Sequence, residues 1–280
     1  MRCRLLASLA ALFWAAGAPA HAELRPEWEF GLGATGLTLP DYRGSDESRG
    51  YLLPFPYLIY RGEHFRVDRQ GIRGIFFESD RVEINLSLNA TPPVNSDDNR
   101  ARQGMPHLDP TLEIGPRVDL RLLSDRAEEW ALELRVPVRA AIATDFSHTK
   151  GIGFVLSPHL SLTTRPLIAG VKWNFGAQAG PVFATREYHE YFYGVGPDVA
   201  TPERPAFQAS GGYSGTYALV SLSRRFPRFW VGAFTRYDML SNAVFEDSPL
   251  VRRDHAFMAG IALAWVFAES SKKVEVDVDE

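Results

Sequence analysis

Long stretches of this chain alternate apolar and polar residues with a period of two. Over residues 81–90, Val82, Ile84, Leu86, Leu88 and Ala90 share one face, and Arg81, Glu83, Asn85, Ser87 and Asn89 share the other. Residues 112–122 repeat this, with Leu112, Ile114, Val118, Leu120 and Leu122 set against Glu113, Arg117, Asp119 and Arg121. Residues 130–142 do so again, with Trp130, Leu132, Leu134, Val136, Val138 and Ile142 opposite Glu133, Arg135 and Arg139. A two-residue period predicts β-strands. Each run also has the roughly 9–11 residues that a tilted strand needs to cross a bilayer.

A soluble sandwich alternates as well, so period alone does not choose between the two. Full charges in mid-strand suit a polar barrel lumen and are costly in a sandwich core, the competing account being an open sheet facing solvent. Aromatics gather near the strand ends, among them Trp28, Phe30, Tyr51, Tyr60, Trp130, Trp173, Trp230, Tyr237, Trp265 and Phe267. That placement suits interfacial girdles rather than ordinary core aromatics. The last strand, HAFMAGIALAWVF over residues 255–267, ends in an aromatic and resembles the terminal assembly signal of outer-membrane barrels. The chain then runs on as a charged tail over residues 268–280, expected to be unstructured.

Strand number follows from the connections. Short ones are expected at Arg61 and Gly62, at Ser79 and Asp80, over 123–129, over 165–170, and at Pro227 and Arg228. Long ones are expected over 38–50, 91–110, 144–151, 184–211 and 240–254. Barrels keep short turns on one side of the membrane and long loops on the other. The two sets alternate only if residues 63–77 make two short strands turning near Arg69 and Gln70. The expected fold is therefore an all-β, transmembrane, antiparallel up-and-down β-barrel of about 12 strands, or ten if a boundary fails, with both termini at the turn end.

The first 22 residues read as a secretory signal peptide: Arg2 and Arg4, a short apolar stretch, then Ala20-His21-Ala22 before the cut. The domain plan is a signal peptide over 1–22, a barrel over 23–267 and a charged periplasmic tail over 268–280. Cys3, the only cysteine, lies in the removed segment, which leaves no disulfide and no thiolate ligand or nucleophile. Of 30 basic residues, 28 remain after Arg2 and Arg4 are lost, against 34 acidic ones, a net charge of −6. Nucleic acid is not expected as a partner, because phosphate binding needs clustered positive charge. No linker, internal repeat or low-complexity block divides the mature chain.

Candidate chemistry is sparse. His159-Leu160-Ser161 has the spacing of a membrane lipid hydrolase pair. With Leu156, Leu160 and Leu162 facing lipid, however, His159 and Ser161 face the lumen, out of reach of an acyl chain, and no third residue completes a triad. The mature histidines are scattered without metal spacing. Asp97, Asp98 and Asn99 form an oxygen-rich cluster that lacks the ligand spacing of a calcium loop. GLGATG over residues 31–36 lies on a strand with no helix after it, so it is no nucleotide fingerprint. No catalytic residue, metal site or cofactor is expected. The charged ladder of Glu113, Arg117, Asp119, Arg121, Glu133, Arg135 and Arg139 is expected to fill the lumen as cross-strand pairs of mixed sign. A narrow channel is the alternative.

Several stretches resemble the MipA/OmpV family, named for the MltA-interacting protein. They are LPDYRGSDE (39–47), PFPYLIYRG (54–62), FRVDRQGIRG (65–74), SDDNRARQGMPHLDPTLEIGP (96–116), YHEYFYGV (188–195) and DSPLV (247–251). The resemblance runs over residues 31–267 and implies an outer-membrane barrel. It further implies a scaffold binding a lytic murein transglycosylase and a penicillin-binding murein synthase, with porin-like, adhesion or stress roles as the alternative. Lipid and lipopolysaccharide would be its surroundings. No catalytic residues come with it. Asp41, Tyr42, Arg43, Asp46, Asp97, Asp98, Asn99, Arg100 and Arg102 are the candidate loop or partner residues, read from their types as ion pairs lacing loops that the nearby prolines and glycines shape.

Overall fold

The computed structural model describes residues 23–276 other than 69, 70, 126 and 146. The expected signal peptide, the turn at Arg69 and Gln70 and the last four tail residues lie outside the described residues. The strands are β1 (Glu23–Pro26), β2 (Trp28–Pro40), β3 (Ser48–Arg61), β4 (Phe65–Asp68), β5 (Gly71–Glu78), β6 (Val82–Thr91), β7 (Thr111–Asp125) and β8 (Trp130–Thr144). They continue as β9 (Thr149–Leu156), β10 (His159–Thr164), β11 (Leu167–Ile168), β12 (Val171–Lys172), β13 (Asn174–Ala184), β14 (Gly212–Arg225), β15 (Phe229–Met239), β16 (His255–Glu269) and β17 (Lys273–Val276). Among the described residues an α-helix, α1 (Arg186–Tyr193), lies between β13 and β14.

Thirteen segments, β2 to β10 and β13 to β16, form one antiparallel sheet that closes on itself. β8 pairs with β9 over residues 138–144 and with β10 over 130–135, and both segments also pair with β13. β9 and β10 are thus one wall strand broken at Ser157 and Pro158, and among the described residues the wall has twelve. β4 and β5 are the two short strands that the alternation of turns and loops demands. Closure of the ring pairs most of the wall's backbone donors and acceptors, which is what hydrocarbon favours.

The alternation resolves as the sequence pattern implies. Glu113, Arg117 and Asp119 are buried on the lumen face of β7, while Leu112 and Ile114 are exposed on its outer face. On β16, Phe257, Ile261, Leu263, Trp265 and Phe267 face outward, and Ala256, Ala264 and Val266 inward. Trp230 departs from the expected girdle. It sits on the same face of β15 as the buried Asp238 and packs against Tyr57, ring centroids 5.8 Å apart.

Two connections also depart from expectation. β8 runs to Thr144 and β9 begins at Thr149, and between them the Ser147 and His148 amides donate to Asp145 Oδ1 at 2.8 and 2.6 Å. And the tail is not wholly unstructured: β16 runs on to Glu269, and β17 pairs with β1 from Glu23↔Val276 to Pro26↔Lys273. Val274 and Val276 alternate with charged residues, so the tail carries a strand pattern whose partner lies at the other end of the chain.

One bulge positions the site. Ala141 pairs with Gly153 but Ile142 pairs with Gly151, so Ile152 is the extra residue and turns inward, 1 % exposed. Gly153 accommodates this at φ +113°, and a Cβ there would collide with Thr185 Oγ1. Gly153→Ala should therefore destabilise the barrel by about 1–3 kcal/mol. The check is the temperature at which the folded band disappears in heat-modifiability gels, which should fall in the variant.

Candidate functional site

The loop end of the barrel is closed by a cap. Tyr42, Val94, Met105, Leu108, Tyr193, Val195, Leu240, Phe245 and Leu250 form a buried apolar cluster drawn from four loops and α1. This core is why the loops hold a shape at all, since apolar burial is the main favourable term available to them. Tyr193 stacks on Phe245 with centroids 3.7 Å apart. Tyr42 donates to the Leu250 carbonyl at 2.8 Å, and burial pushes its hydroxyl up to about 12.

The helix α1 starts after Thr185, in extended conformation, and ends where the Gly194 amide donates to the Glu190 carbonyl at 3.0 Å. One of its faces lays Tyr188, Tyr191 and Phe192 against Ala141, Ala143 and Ile152 on the wall. From the other face His189 is buried between loops. Its Nδ1 donates to the Ser210 carbonyl at 2.6 Å, so its Nε2 is the acceptor for the Ser214 hydroxyl. Burial lowers the His189 pKa, and Arg43 adds to this.

Of the candidate loop residues, most are brought together. Asp41 accepts from Arg49 Nε and from Asn99 Nδ2, both at 2.8 Å. Arg49 also reaches Asp98 at 3.4 Å, and Arg100 pairs with Asp46 and with Glu47 at 2.9 Å each. Arg102 is buried, donating to Ser96 Oγ and to the Phe192 and Pro106 carbonyls, and burial lowers its pKa. Arg43 turns inward to Asp238 at 2.9 Å. Asp97 stays exposed, its amide capped by Asn95 Oδ1 at 3.2 Å. Loops 41–47 and 96–102 are thereby laced to each other.

Beneath the cap lies the charged ladder. Register sets Asp119 opposite Arg135 and Arg121 opposite Glu133. The tightest contacts nevertheless run along strands: Arg117 with Asp119 at 2.6 Å and Arg135 with Glu133 at 2.7 Å. Arg121 stands 3.8 Å from Glu133, and Arg139 crosses to Glu113 at 2.9 Å. Cross-strand pairing was expected throughout; residues two apart on one lumen face prove equally close, because both project inward from one pleat. Arg139 also donates to Ser87 and Ser157, and Tyr188 donates to Glu113 Oε1 at 3.0 Å, so the cap helix is tied to the ladder. His159 and Ser161 do face the lumen; His159 Nδ1 donates to the Ser157 carbonyl at 2.8 Å, taking the position a triad carboxylate would hold.

Three clusters were missed in the sequence. Asp238 holds Arg236 at 2.7 Å beside Arg43, Glu29 holds Arg61 at 3.1 Å and Arg225 at 2.5 Å, and Arg204 donates to the Ala101, Gln103 and Val199 carbonyls. Arg236 and Asp238 lie two apart on β15, the same signal as the ladder residues. Arg204 has no such pattern.

Two outcomes follow. Arg117→Met should cost about 3–5 kcal/mol by leaving Asp119 buried without its cation, and Arg117→Met with Asp119→Leu should recover most of the loss; melting followed on gels distinguishes the two. For His189 the folded pKa lies below the unfolded value near 6.5, so the cap is unaffected above that pH. It weakens as pH falls below about 6.5, where the unfolded chain binds a proton that the cap excludes. Hydrogen-exchange protection of α1, taken relative to the intrinsic rate at each pH, should fall on acidification in the natural chain and lose that pH dependence in His189→Gln.

Comparison with known proteins is consistent across the chain. The family model described as MltA-interacting protein MipA matches residues 32–267. Outer membrane protein OmpV of Vibrio cholerae serotype O1 is 23 % identical over 247 residues, covering 86 % of this chain and 87 % of that protein. Outer membrane protein Omp26La of Vibrio anguillarum is 24 % identical over 253 residues, with the same coverages. Among solved structures, the NanC porin aligns at 10 % identity with a TM-score of 0.40, covering 84 % of this chain and 98 % of that one. OprB of Pseudomonas putida aligns at 7 % identity and TM-score 0.40, covering 86 % and 94 %. With its closed antiparallel wall, its outward apolar band and a family match over most of its length, the chain is an outer-membrane protein and belongs to the MipA family.

Proposed function

We propose that this barrel is a non-catalytic platform that holds murein-remodelling enzymes beneath the outer membrane. The observation that carries this is the family match, whose description names an interaction with the transglycosylase MltA. In this reading the turn end faces the periplasm and the loop end faces outward, among lipid and lipopolysaccharide. A penicillin-binding murein synthase is the second partner that a bridge would need.

A docking element is available at the turn end. β1 and β17 make a two-stranded ribbon fixed to the barrel by the Glu27 amide on the Lys272 carbonyl and the Ser270 amide on the Trp28 carbonyl, both 2.9 Å. Such a ribbon offers edges to which an extended segment can add by backbone hydrogen bonds. Affinity capture from cross-linked, solubilised envelopes should enrich a lytic transglycosylase. Truncation after Glu269 should lower its recovery about tenfold, the loss of roughly 1.4 kcal/mol of binding. Recovery no better than from an unrelated barrel would sink the platform.

The channel reading draws on two lumen cavities, of about 420 and 350 Å³, which both reach Arg135 and Gln178. It predicts steady ion conductance in planar bilayers. The platform, under a packed cap, predicts very little.

A further inference from the structure

The wall is complete only at the turn end. β4 meets β3 at Tyr60↔Val67 and Arg61↔Arg66, and pairs on its other side with β5 from Phe65↔Gly74 to Asp68↔Gly71. β5 meets β6 at Asn85, Ile84 and Glu83. Among the described residues nothing pairs on this side with β3 over 48–56, or with β6 over 86–91. The short pair β4 and β5 forms a sill, and above it the wall has a window.

The window is framed at its top as well. Loop 96–102 crosses from the end of β6 to the start of β3, through Arg49 with Asp41 and Asp98 and Arg100 with Asp46. Along both sides, consecutive residues are exposed regardless of the face they point to: Leu52, Leu53 and Pro54 on β3, and Leu88, Asn89 and Ala90 on β6. In a sealed wall one face of each strand would be covered.

The backbone of β3 is adapted to this free edge. The Arg61 amide donates to Glu27 on the β2 side, and the Gly62 amide donates to Phe65 on the β4 side. Amides alternate in direction along a strand, so even-numbered residues of β3 aim theirs at the window. Pro54 and Pro56 are even-numbered and have no amide hydrogen to leave unpaired. Two such prolines also deny an incoming strand its ladder bonds, which argues against a second protein chain as the occupant. Register carries Pro54 through Ala34 to Leu263 and Pro56 through Leu32 to Trp265, placing the window beside the outward apolar band of β16. What lies against it is membrane hydrocarbon.

Behind the window the lumen has an aromatic wall on the β3 and β15 side, facing polar residues that include Arg135, Asn174 and Gln178. Phe55 and Tyr57 on β3 line the 420 Å³ cavity with Trp230 and Phe234, and Leu88 on β6 borders the second cavity. Both volumes fall in the range of small-ligand sites, roughly 300–1,000 Å³. The cap closes the axial route at the loop end. We propose that the window is a lateral passage by which the acyl chain of a membrane lipid enters the lumen and lodges against Phe55, Trp230 and Phe234.

The full chain, reconstituted in vesicles of palmitoyl-oleoyl phosphatidylethanolamine and phosphatidylglycerol, tests this by photo-crosslinking. Benzoylphenylalanine is placed singly at Leu53, at the lumenal positions Phe234 and Trp230, and at the outward-facing Ile261. The two lumenal positions guard against one variant failing to fold. Expected are lipid adducts by mass spectrometry at Leu53, at Ile261 and at a lumenal position, with the lumenal adduct reduced several-fold by Leu53→Trp. Lipid at Ile261 with none at either lumenal position overturns the passage, whatever Leu53 shows. Chain-to-chain crosslinks from Leu53 overturn it in favour of a second copy.

Discussion

The constraint that most of this molecule answers is that an unpaired backbone donor or acceptor is costly in hydrocarbon. The ring of strands answers that constraint, and the side-chain pattern follows from the ring. Once β16 pairs with β2, each strand has one face toward lipid and one toward the lumen. A one-residue slip would therefore put Glu113, Arg117 and Asp119 into the membrane. The register of β7 is fixed less by what its bonds contribute than by what a slip would cost.

The lumen carries a second consequence. Charges that cannot face lipid are held inward, where they are buried and must be matched. Arg117 with Asp119, Arg135 with Glu133, Arg73 with Glu83 and Asp68, and Arg236 with Asp238 and Arg43 each neutralise one another locally. Buried pairs of this kind contribute little net stability against an apolar lining, but breaking one is costly. They act as registration marks between strands, and through Tyr188 on Glu113 they also fix where the cap helix sits.

How much of this was legible depends on whether a feature is periodic. β6, β7 and β8 were legible to within about three residues at each end, because residues 81–90, 112–122 and 130–142 each carry a sustained alternation. β4 and β5 were legible only indirectly, from the need for turns and loops to alternate. β3 was not: Leu52-Leu53-Pro54 breaks the alternation, and that break is itself the mark of an unpaired edge. Trp230 was placed near a strand end correctly but on the wrong face, which its even spacing to Arg236 and Asp238 would have revealed. The residue types of the ladder were legible and their partners were not, since pleat, twist and bulge decide between neighbours along a strand and across it. The cap was hidden because His189, Tyr193 and Phe245 meet through loops, where no period exists.

The cap and the window bear on each other. A barrel open at its mouth would admit solutes along its axis, and a gap in its wall would merely be a weakness. Here Tyr193, Phe245 and their neighbours close the mouth, while the wall is left low for the length of β3 above its sill. The same loop that carries Met105 and Leu108 into the cap also carries Asp98 and Arg100 across the top of the window. Loosening that loop would release the lintel and the lid together, so axial closure and lateral opening rest on one set of contacts. The prolines at 54 and 56 lower the cost of that edge, since they remove two of the amide donors that would otherwise be left without a partner. A gap produced by accident would expose amide donors there; at these two positions this edge has none to expose.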